Sequence, residues 1–585
     1  MAARAEADPK TLAYHRARAE ISTLVGAYLA VVLIYLYSFG RSAWSPNDPE
    51  HIMAYAWRLV QGEVPYRDFI YHKPPGTLWL HRIWLSFPDG WAIVASRLAF
   101  YLQIAASGLL PILSARRLGM VFSWRLPLLG VVALIFALHN FPAMPWQTSD
   151  GVFFSTLGLA ALMESWRSSH CKRALIARAL ASASFTYAFL CKQSFFLPAV
   201  LIGVIAVGEG LRWVFFERHR QPNARPALEL LAASTLPAMI MVGSFLLYLR
   251  VNGAMEQFIL QMRSQSSVSA LLEYGLLNKD SQFRWVIGVA ALLPALQRIG
   301  ARSDASLWFT RLSVAVSVLL LGRIARAWAG EPFGNPLGAV LFFLLLGSFL
   351  GRLLLAIADR IRPGQRSDLL TNSRLLWMHC FLIAIAWSAQ LSLGWPTPLL
   401  GLAGLGVVLH EVLPLERNVA WNLMPVSLTA AIVFVTFWKL NREHPYCELS
   451  REKLTWDLAP ISPKLSGIRT NEELFRRYAE LKELAESYAL TNARPFVVLA
   501  EFPGVYWLWG ARNPLRIDWL YPPDIAGFEN DLLQELNSSG AVAFLPKDAT
   551  ACEKITTADY NALAKAVVEG WRLIGSRQSF CVYSR

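Results

Sequence analysis

Long apolar runs recur along most of this chain, and they constrain its fold more than any other feature. We count about thirteen, each of about 16 to 23 residues, which is long enough to cross the hydrocarbon core of a bilayer as a helix. Backbone groups in lipid must hydrogen-bond within their own segment, so these runs predict an α-helical polytopic membrane protein. Charged residues make up only 16% of the chain, whereas a water-soluble protein has roughly 25%. The predicted spans are residues 21–40, 91–114, 123–141, 151–166, 175–191, 194–213, 229–250, 283–299, 305–325, 335–357, 375–392, 396–414 and 421–439.

The basic residues orient the predicted bundle. Arginines and lysines concentrate in alternate loops, whereas the short loops 140–150 and 392–397 contain none. This positive-inside bias predicts a cytoplasmic N-terminus and, with an odd number of spans, a C-terminus outside. The first apolar run exceeds the roughly 7 to 15 residues of a signal peptide's apolar region, so we expect it to be retained. The net charge of +14 lies mainly on the inner face, where it pairs with anionic lipid headgroups, and nucleic acid is excluded as a partner.

The pattern changes at about residue 440 to that of a small soluble domain. We therefore expect a transmembrane domain over residues 1–439, with its first outer loop at 41–90, and an outer α/β domain over residues 440–585. The elements predicted in the outer domain are a helix over 471–488 capped by Thr470, strands over 495–501 and 541–546, a helix over 557–569 and a closing strand in SFCVYSR.

The six cysteines divide between the two predicted domains. Cys447, Cys552 and Cys581 fall in the outer domain, where an oxidising compartment permits one disulfide, and the sequence leaves the pairing open. Three others, Cys171, Cys191 and Cys380, lie in or beside predicted spans. The spacing of histidines, cysteines and carboxylates does not fit a zinc site.

The predicted outer loop, residues 41–90, is long enough to carry its own structure. Asp48-Pro49-Glu50 is typical of a helix start, because it offers an N-cap acid, a proline at the first helical position and an acid in the first turn. Gly62 ends this helix. Its side chains form two faces, one apolar (Ile52, Met53, Ala56, Leu59, Val60) and one polar (His51, Tyr55, Arg58), as in a helix lying along a membrane surface.

A charged segment, VPYRDFIYHKPPG, follows that helix. Lys73 precedes two prolines and is therefore predicted to be extended. A second short helix is predicted from Pro75 towards Phe87, so the loop should consist of two interfacial helices joined by a charged segment.

The order of these motifs resembles the first periplasmic loop of the GT-C membrane glycosyltransferases. An acidic residue after the first span, a surface helix, GEVPYRDF and then KPP are similar to the branch that contains protein O-mannosyltransferases and the aminoarabinose transferase of lipid A. Many members have an Asp-Glu pair where Pro49 separates Asp48 from Glu50 here, which leaves open which carboxylate reacts. The resemblance implies eleven to thirteen spans, often with a C-terminal outer domain.

The resemblance also implies a chemistry. The donor would be a sugar on a polyprenyl monophosphate, and the acceptor a hydroxyl of a glycan, lipid or protein at the periplasmic face of a bacterial inner membrane. Attack by a hydroxyl needs a general base, and the leaving phosphate needs cations. Asp48 matches the family's catalytic acid, Asp150 its second acidic position, and Lys73 its phosphate-binding lysine, with Lys192 as a further basic position. Other predicted substrate-binding residues are Glu50, His51, Tyr55, Arg58, Tyr66, Arg67, Asp68 and His72.

Several alternatives stay open. Asp48 and Asp150 also fit simple helix caps, and Glu63, Tyr66, Arg67 and Asp68 also fit pairing with each other in a tight loop. Lys73 also fits a position in the lipid headgroup layer, and Lys192 a side chain that extends to that layer. His51 and His72 also fit orienting or structural roles. A divalent cation, Mg²⁺ or Mn²⁺, held by Asp48, Glu50 and Asp150 is compatible with some GT-C branches. A membrane transporter, a non-catalytic receptor and a ligase that uses a polyprenyl-diphosphate glycan are the competing functions; a transporter is expected to carry charges near the bilayer midplane.

Overall fold

The structure of the chain is a computed structural model. It describes residues 9–46, 48–117, 134, 143–168, 171–217, 225–264, 285–300, 336–361, 369–390, 438–439, 442–443, 448–520, 522–547, 552 and 562–585. The helices are α1 (Pro9–Phe39), α2 (Asp48–Val60), α3 (Gly76–His81), α4 (Ala92–Arg117), α5 (Gln147–Arg167), α6 (Cys171–Cys191), α7 (Phe196–Arg212), α8 (Arg225–Val251), α9 (Met255–Ser264), α10 (Trp285–Gly300), α11 (Pro336–Ile361), α12 (Leu369–Gln390), α13 (Glu472–Tyr488), α14 (Val505–Trp509), α15 (Pro522–Ile525), α16 (Glu529–Ser538) and α17 (Ala562–Gly570). The strands are β1 (Trp456–Asp457), β2 (Arg469–Thr470), β3 (Phe496–Val498), β4 (Val542–Pro546), β5 (Arg572–Ser576) and β6 (Phe580–Ser584).

The apolar runs form helices wherever the structure describes them. Within the described residues, 5 helices are long and apolar enough to cross a membrane, and two apolar helices are shorter. The predicted span 151–166 is also helical, as part of α5. The predicted spans 305–325 and 396–414, and almost all of 123–141 and 421–439, lie outside the described residues. The five long helices are Ile21–Phe39, Ala92–Arg117, Cys171–Cys191, Gln193–Phe215 and Ala227–Val251, and the shorter ones are Phe342–Ala358 and Ser373–Ala389.

Small residues let the central helices approach closely. A Cβ on Gly158 of α5 would lie 2.9 Å from the Phe185 ring of α6, and Phe185 in turn stacks on Phe381 of α12 with ring centroids 4.9 Å apart. Helices in lipid associate through this kind of packing, because lipid tails are as apolar as the side chains themselves. The packing of α5, α6 and α12 determines where the N-terminal end of α5 and the C-terminal ends of α6 and α12 lie, and the site is at these ends.

The C-terminal region, residues 448–585, contains a four-stranded mixed sheet in the order β3-β4-β6-β5. Strands β3 and β4 are parallel, whereas β6 is antiparallel to both β4 and β5. The predicted strands and the helix α13 are confirmed. Strand β5 is not predicted, because its irregular pairing around Leu573 and Gly575 breaks the alternation that identifies a strand. The predicted helix over 557–569 is described only from Ala562.

Two details of this region differ from, or go beyond, the sequence prediction. The cap of α13 is Asn471, whose Oδ1 accepts the Leu474 amide at 2.9 Å; Thr470 instead donates to Glu448 at 2.6 Å. Cys552 and Cys581 form a disulfide. Cys447 lies outside the described residues. The structure therefore pairs Cys552 with Cys581, a choice that the sequence left open.

The first outer loop and the C-terminal region share one hydrophobic core. Trp44 and Met53 pack together with C-terminal residues such as Leu458 and Trp507. Helix α2 is therefore buried on both faces, since Met53 on one face and Tyr55 on the other are both inaccessible. The prediction of a helix with a free polar face is corrected, because the C-terminal region covers that face.

Candidate active site

The turn that carries Lys73 packs directly on the C-terminal end of α6. A Cβ on Gly76 would lie 2.6 Å from the Leu190 carbonyl oxygen and 2.9 Å from the Cys191 nitrogen. The Tyr187 hydroxyl also donates to the Gly76 carbonyl oxygen at 3.0 Å. Only a glycine permits this approach without displacement, and the contact brings the KPP turn beside the residue that follows α6, which is Lys192.

Lys192 is an extended residue between two helices, with φ −155° and ψ 126°. Its side chain is buried, and Nζ donates to Thr148 Oγ1 at 3.0 Å and to the Ala389 carbonyl oxygen at 3.5 Å. Burial, followed by the nearby charge of Lys73, holds the pKa of Lys192 well below its usual value. A bound anion would relieve both effects.

Lys73 is only partly buried. A hydrogen bond holds its backbone in place, whereas its ammonium group is not held in this way. The Tyr66 hydroxyl donates to the Lys73 carbonyl oxygen at 2.7 Å. The Lys73 ammonium forms no ion pair or hydrogen bond with any of the described residues. Lys73 and Lys192, which we call the lysine pair, thus present two interacting positive charges on a rigid support.

Asp150, in the first turn of α5, is completely buried beneath the Lys73 turn. Its carboxylate accepts hydrogen bonds from Thr77 Oγ1 at 2.8 Å, His81 Nε2 at 3.1 Å and Gln103 Nε2 at 2.9 Å. Thr77 follows KPPG directly, so this carboxylate is tied to the same turn as Lys73. With both oxygens engaged, Asp150 is suited to hold the turn against α4 and α5.

The hydrogen bonds around His81 determine its tautomer. The Trp84 indole N–H donates to His81 Nδ1 at 2.7 Å. An indole nitrogen is only a donor, so Nδ1 carries no proton and Nε2–H donates to Asp150. His81 therefore orients the Asp150 carboxylate.

Glu50 points away from the lysine pair and into the C-terminal region. Its buried carboxylate accepts hydrogen bonds from Trp44 Nε1 at 2.6 Å, from the Gly504 amide at 2.8 Å and from the Tyr478 hydroxyl. Burial raises the pKa of Glu50 to about 8, although these hydrogen bonds oppose the shift. The predicted role of Glu50 in substrate binding does not fit this position; the structure makes it an anchor of α2.

Asp48 begins α2, as predicted, but its side chain lies outside the described residues. Its helical position is informative nevertheless. Residues three apart share a helix face and residues two apart do not, so position 48 lies on the face of His51 and not on that of Glu50.

Arg58 does not join the lysine pair. Its guanidinium binds Asp518 at 2.6 Å and Glu63 at 2.8 Å, and donates to the Leu515 carbonyl oxygen. All three residues and Arg58 itself lie in the buried contact between the loop and the C-terminal region. Its predicted phosphate-binding role is replaced by this structural one, because its donors are already used.

Arg67 and Asp68 pair with each other at the surface, at 2.7 Å. Arg67 Nη1 also donates to the Asn252 carbonyl oxygen at 3.1 Å. The structure therefore agrees with the alternative in which these residues pair within the loop.

The two loop histidines have different surroundings. His72 Nε2 lies 2.6 Å from the Asp524 carbonyl oxygen, and its Nδ1 3.3 Å from that of Gln261. His51 is surrounded by aromatic rings, among them Tyr55 at 4.8 Å and Trp519 at 4.7 Å between centroids. His72 immediately precedes Lys73, and Tyr71, whose ring lies 6.4 Å from that of His51, is two residues before it, so both histidines lie beside the Lys73 turn.

The described residues contain no group of three or more histidines, cysteines and carboxylates arranged to hold a metal ion. Glu50 and Asp150 bind separate sets of protein donors. Glu50 and Asp150 therefore do not share a cation site in this arrangement.

The residues of the site that were not identified in the sequence include Thr77, His81, Gln103 and Trp519. Thr77 and His81 are four residues apart on α3, a spacing that places them on one face and could have been noticed. The contributions of Gln103 and Trp519 come from distant parts of the chain and have no local signal.

No protein-family model matches the chain, and no curated protein sequence matches it significantly. Among the solved structures similar to it are two of one protein. One is ArnT from Cupriavidus metallidurans in the apo state, with 15% sequence identity and a TM-score of 0.44 over 96% of this chain and 97% of that one. The other is the same protein bound to undecaprenyl phosphate, with 14% identity and a TM-score of 0.43 over 96% and 97% of the two chains.

Proposed function

We propose that this chain is a membrane glycosyltransferase that moves a single sugar from a polyprenyl-phosphate donor to an acceptor hydroxyl. The reaction takes place at the periplasmic face of a bacterial inner membrane, and it inverts the anomeric carbon. The lysine pair holds the phosphate of the donor, and Asp48 is the general base. The polyprenyl tail stays in the bilayer beside the helices.

The observation that carries this proposal is the lysine pair. A buried lysine with a depressed pKa next to a second lysine is unfavourable by itself, and an anion placed between them removes the repulsion. Lys73 offers its ammonium without a partner among the described side chains, and the Gly76 contact fixes its backbone. The pair lies where α6 ends and a new helical segment begins, at the junction of two membrane-length helices. A lipid-linked phosphate would arrive at this level.

The chemistry follows from these positions. The acceptor hydroxyl attacks the anomeric carbon of the sugar while Asp48 takes its proton, and the bond from that carbon to the phosphate oxygen breaks. The electron pair of that bond leaves with the polyprenyl phosphate, whose added negative charge the lysine pair stabilises. Asp48 is the base in this scheme because Glu50 is enclosed by Trp44, Tyr478 and Gly504.

Asp150 has a positioning role in this proposal. It is inaccessible and binds Thr77, four residues after Lys73. It therefore fixes the position of the Lys73 turn relative to α5. This role does not require Asp150 to exchange a proton with the substrate.

The phosphate role can be tested by binding. We expect Lys73→Ala and Lys192→Met each to weaken binding of undecaprenyl phosphate to the purified protein about 10- to 100-fold, as expected for loss of one charge-assisted hydrogen bond. Lys172→Met is the matched control, because Lys172 is exposed at the opposite end of the same helix α6. Normal binding by both variants would disprove the phosphate site.

The transfer itself can be tested in cells. Lipids and glycoconjugates from cells with and without the protein would be compared by mass spectrometry. We expect a polyprenyl-monophosphate sugar to accumulate, and one glycoconjugate to lose a single sugar, when the protein is absent. Accumulation of a polyprenyl-diphosphate glycan would instead identify a ligase, and no change in either pool would favour a transporter or receptor.

A further inference from the structure

Beside the lysine pair lies an aromatic cluster that the reaction above does not use. It consists of His51 and Tyr55 from α2, Tyr71 from the loop, and Trp519 from the C-terminal region. The His51 ring lies 4.7 Å from that of Trp519, 4.8 Å from that of Tyr55 and 6.4 Å from that of Tyr71. Tyr71 is two residues before Lys73, so the cluster adjoins the turn that holds the phosphate.

Two buried polar atoms in this cluster lack hydrogen bonds. His51 Nδ1 and the Tyr71 hydroxyl find no hydrogen-bond partner among the described residues, although His51 is only 6% exposed and Tyr71 2%. The Tyr71 hydroxyl lies near Gln147 but not in good hydrogen-bond geometry. Buried polar groups are nearly always hydrogen-bonded, and an exception in a native protein calls for an explanation. A bound ligand with hydroxyl groups would give both atoms a hydrogen-bond partner, and it would thus explain why the described residues supply none.

We propose that the aromatic cluster is the binding site for the sugar ring of the donor, with hydroxyls of the sugar bonded to His51 Nδ1 and Tyr71 and its apolar face against the rings. This inference rests on the proposed function, since the phosphate must occupy the lysine pair for the attached sugar to reach the cluster. Ligand sites of this kind are mostly apolar, with a few precisely placed polar groups. The C-terminal region then contributes to substrate recognition through Trp519.

The charges around the cluster bear on the class of sugar. Burial, and then the charges of Lys73 and His72, hold the pKa of His51 well below its usual value. Lys73 and His72 contribute positive potential at the cluster, whereas the carboxylates of Asp518 and Asp524 act on Tyr55 with the opposite sign. Asp518, which immediately precedes Trp519 in the chain, is already paired with Arg58. Charges of both signs therefore surround the cluster, and its two unbonded polar atoms are suited to the hydroxyls of an uncharged sugar.

The test compares lipids with and without a sugar, on the full-length purified protein. The probes are undecaprenyl phosphate, the same lipid carrying glucose, galactose or mannose, and the lipid carrying 4-amino-4-deoxyarabinose. We expect at least one of the three neutral sugars to bind more tightly than both the bare lipid and the amino-sugar lipid. Tighter binding of the amino sugar than of all three neutral sugars would overturn the proposed class.

The variants Tyr71→Phe and His51→Phe should each weaken binding of the preferred sugar lipid about two- to tenfold, the effect of one neutral hydrogen bond, and leave the bare lipid unchanged. Tyr37→Phe is the matched control, because Tyr37 is 92% exposed on α1. Equal effects on both lipids, or none on either, would show that the cluster is structural, while loss of bare-lipid binding in Lys73→Ala would still support the phosphate site. If Lys73→Ala and Lys192→Met both bound the bare lipid normally, the proposed function would fail instead.

Discussion

Replacing Gly76 by alanine tests the contact on which the geometry of the lysine pair depends. The added Cβ would lie 2.6 Å from the Leu190 carbonyl oxygen, 2.7 Å from its carbon and 2.9 Å from the Cys191 nitrogen. Carbon–oxygen contacts are normally about 3.3 Å or longer, so the Lys73 turn must retreat by roughly 0.7 Å. All three atoms are backbone atoms, and a rotamer change cannot relieve the overlap.

The size of the effect follows from this displacement. Overpacking of a tight contact costs about 1 to 3 kcal/mol of stability. Displacement of a binding group by about 1 Å can cost up to 10²-fold in rate, and we therefore expect the kcat/KM of Gly76→Ala to fall roughly 10- to 100-fold.

The assay measures transfer of the sugar by purified protein in nanodiscs, together with thermal unfolding of the same samples. Gly203→Ala is the control, because a Cβ on Gly203 in α7 would have nothing within 4 Å; it should leave activity and stability unchanged. A Gly76→Ala protein with full activity and an unchanged melting temperature would refute the reasoning, since it would mean that the turn does not rest on α6.

Three further predictions concern the base, the buried acid and the disulfide. Asp48→Asn should keep the start of α2, because asparagine caps a helix about as well as aspartate, but should slow transfer about 10²- to 10⁴-fold in single-turnover kinetics; a normal rate would eliminate Asp48 as the base. The pKa of Glu50 is raised to about 8 in the folded protein. Its contribution to stability is therefore complete below its unfolded pKa and declines as the pH rises to about 8. Melting curves of Glu50→Gln should not show this decline, and if they do, another group causes it. Joint replacement of Cys552 and Cys581, which are 29 residues apart, by serine should lower the free energy of unfolding by roughly 3 kcal/mol, and an unchanged denaturation midpoint under oxidising conditions would contradict a stabilising disulfide.

Much of the local structure could be predicted because its causes are local. The length of an apolar run determines whether it can cross a bilayer as a helix, and α1, α4, α6, α7 and α8 follow that rule. The acid, proline and glycine at its ends are likewise sufficient to predict the bounds of α2, which the structure confirms.

The directions of side chains within those elements were not predictable in the same way. The sequence puts Arg58 on the polar face of the predicted helix and Glu50 in its first turn, and nothing near them in the sequence reveals what covers them. Their partners, Tyr478 and Asp518, belong to the C-terminal region. Glu50 and Arg58, both expected to bind substrate, are therefore buried and make structural contacts instead.

The sequence by itself determined which segments become helices and strands, and it placed chemically suitable residues in the first outer loop. Only the tertiary structure decided which of those residues meet. Lys73 and Lys192 come together because Gly76 packs on the end of α6, and His51 meets Trp519 because the C-terminal region folds over the loop. The physical reason is range: backbone hydrogen bonds and helix capping act over a few residues, whereas such contacts depend on how distant segments pack against one another.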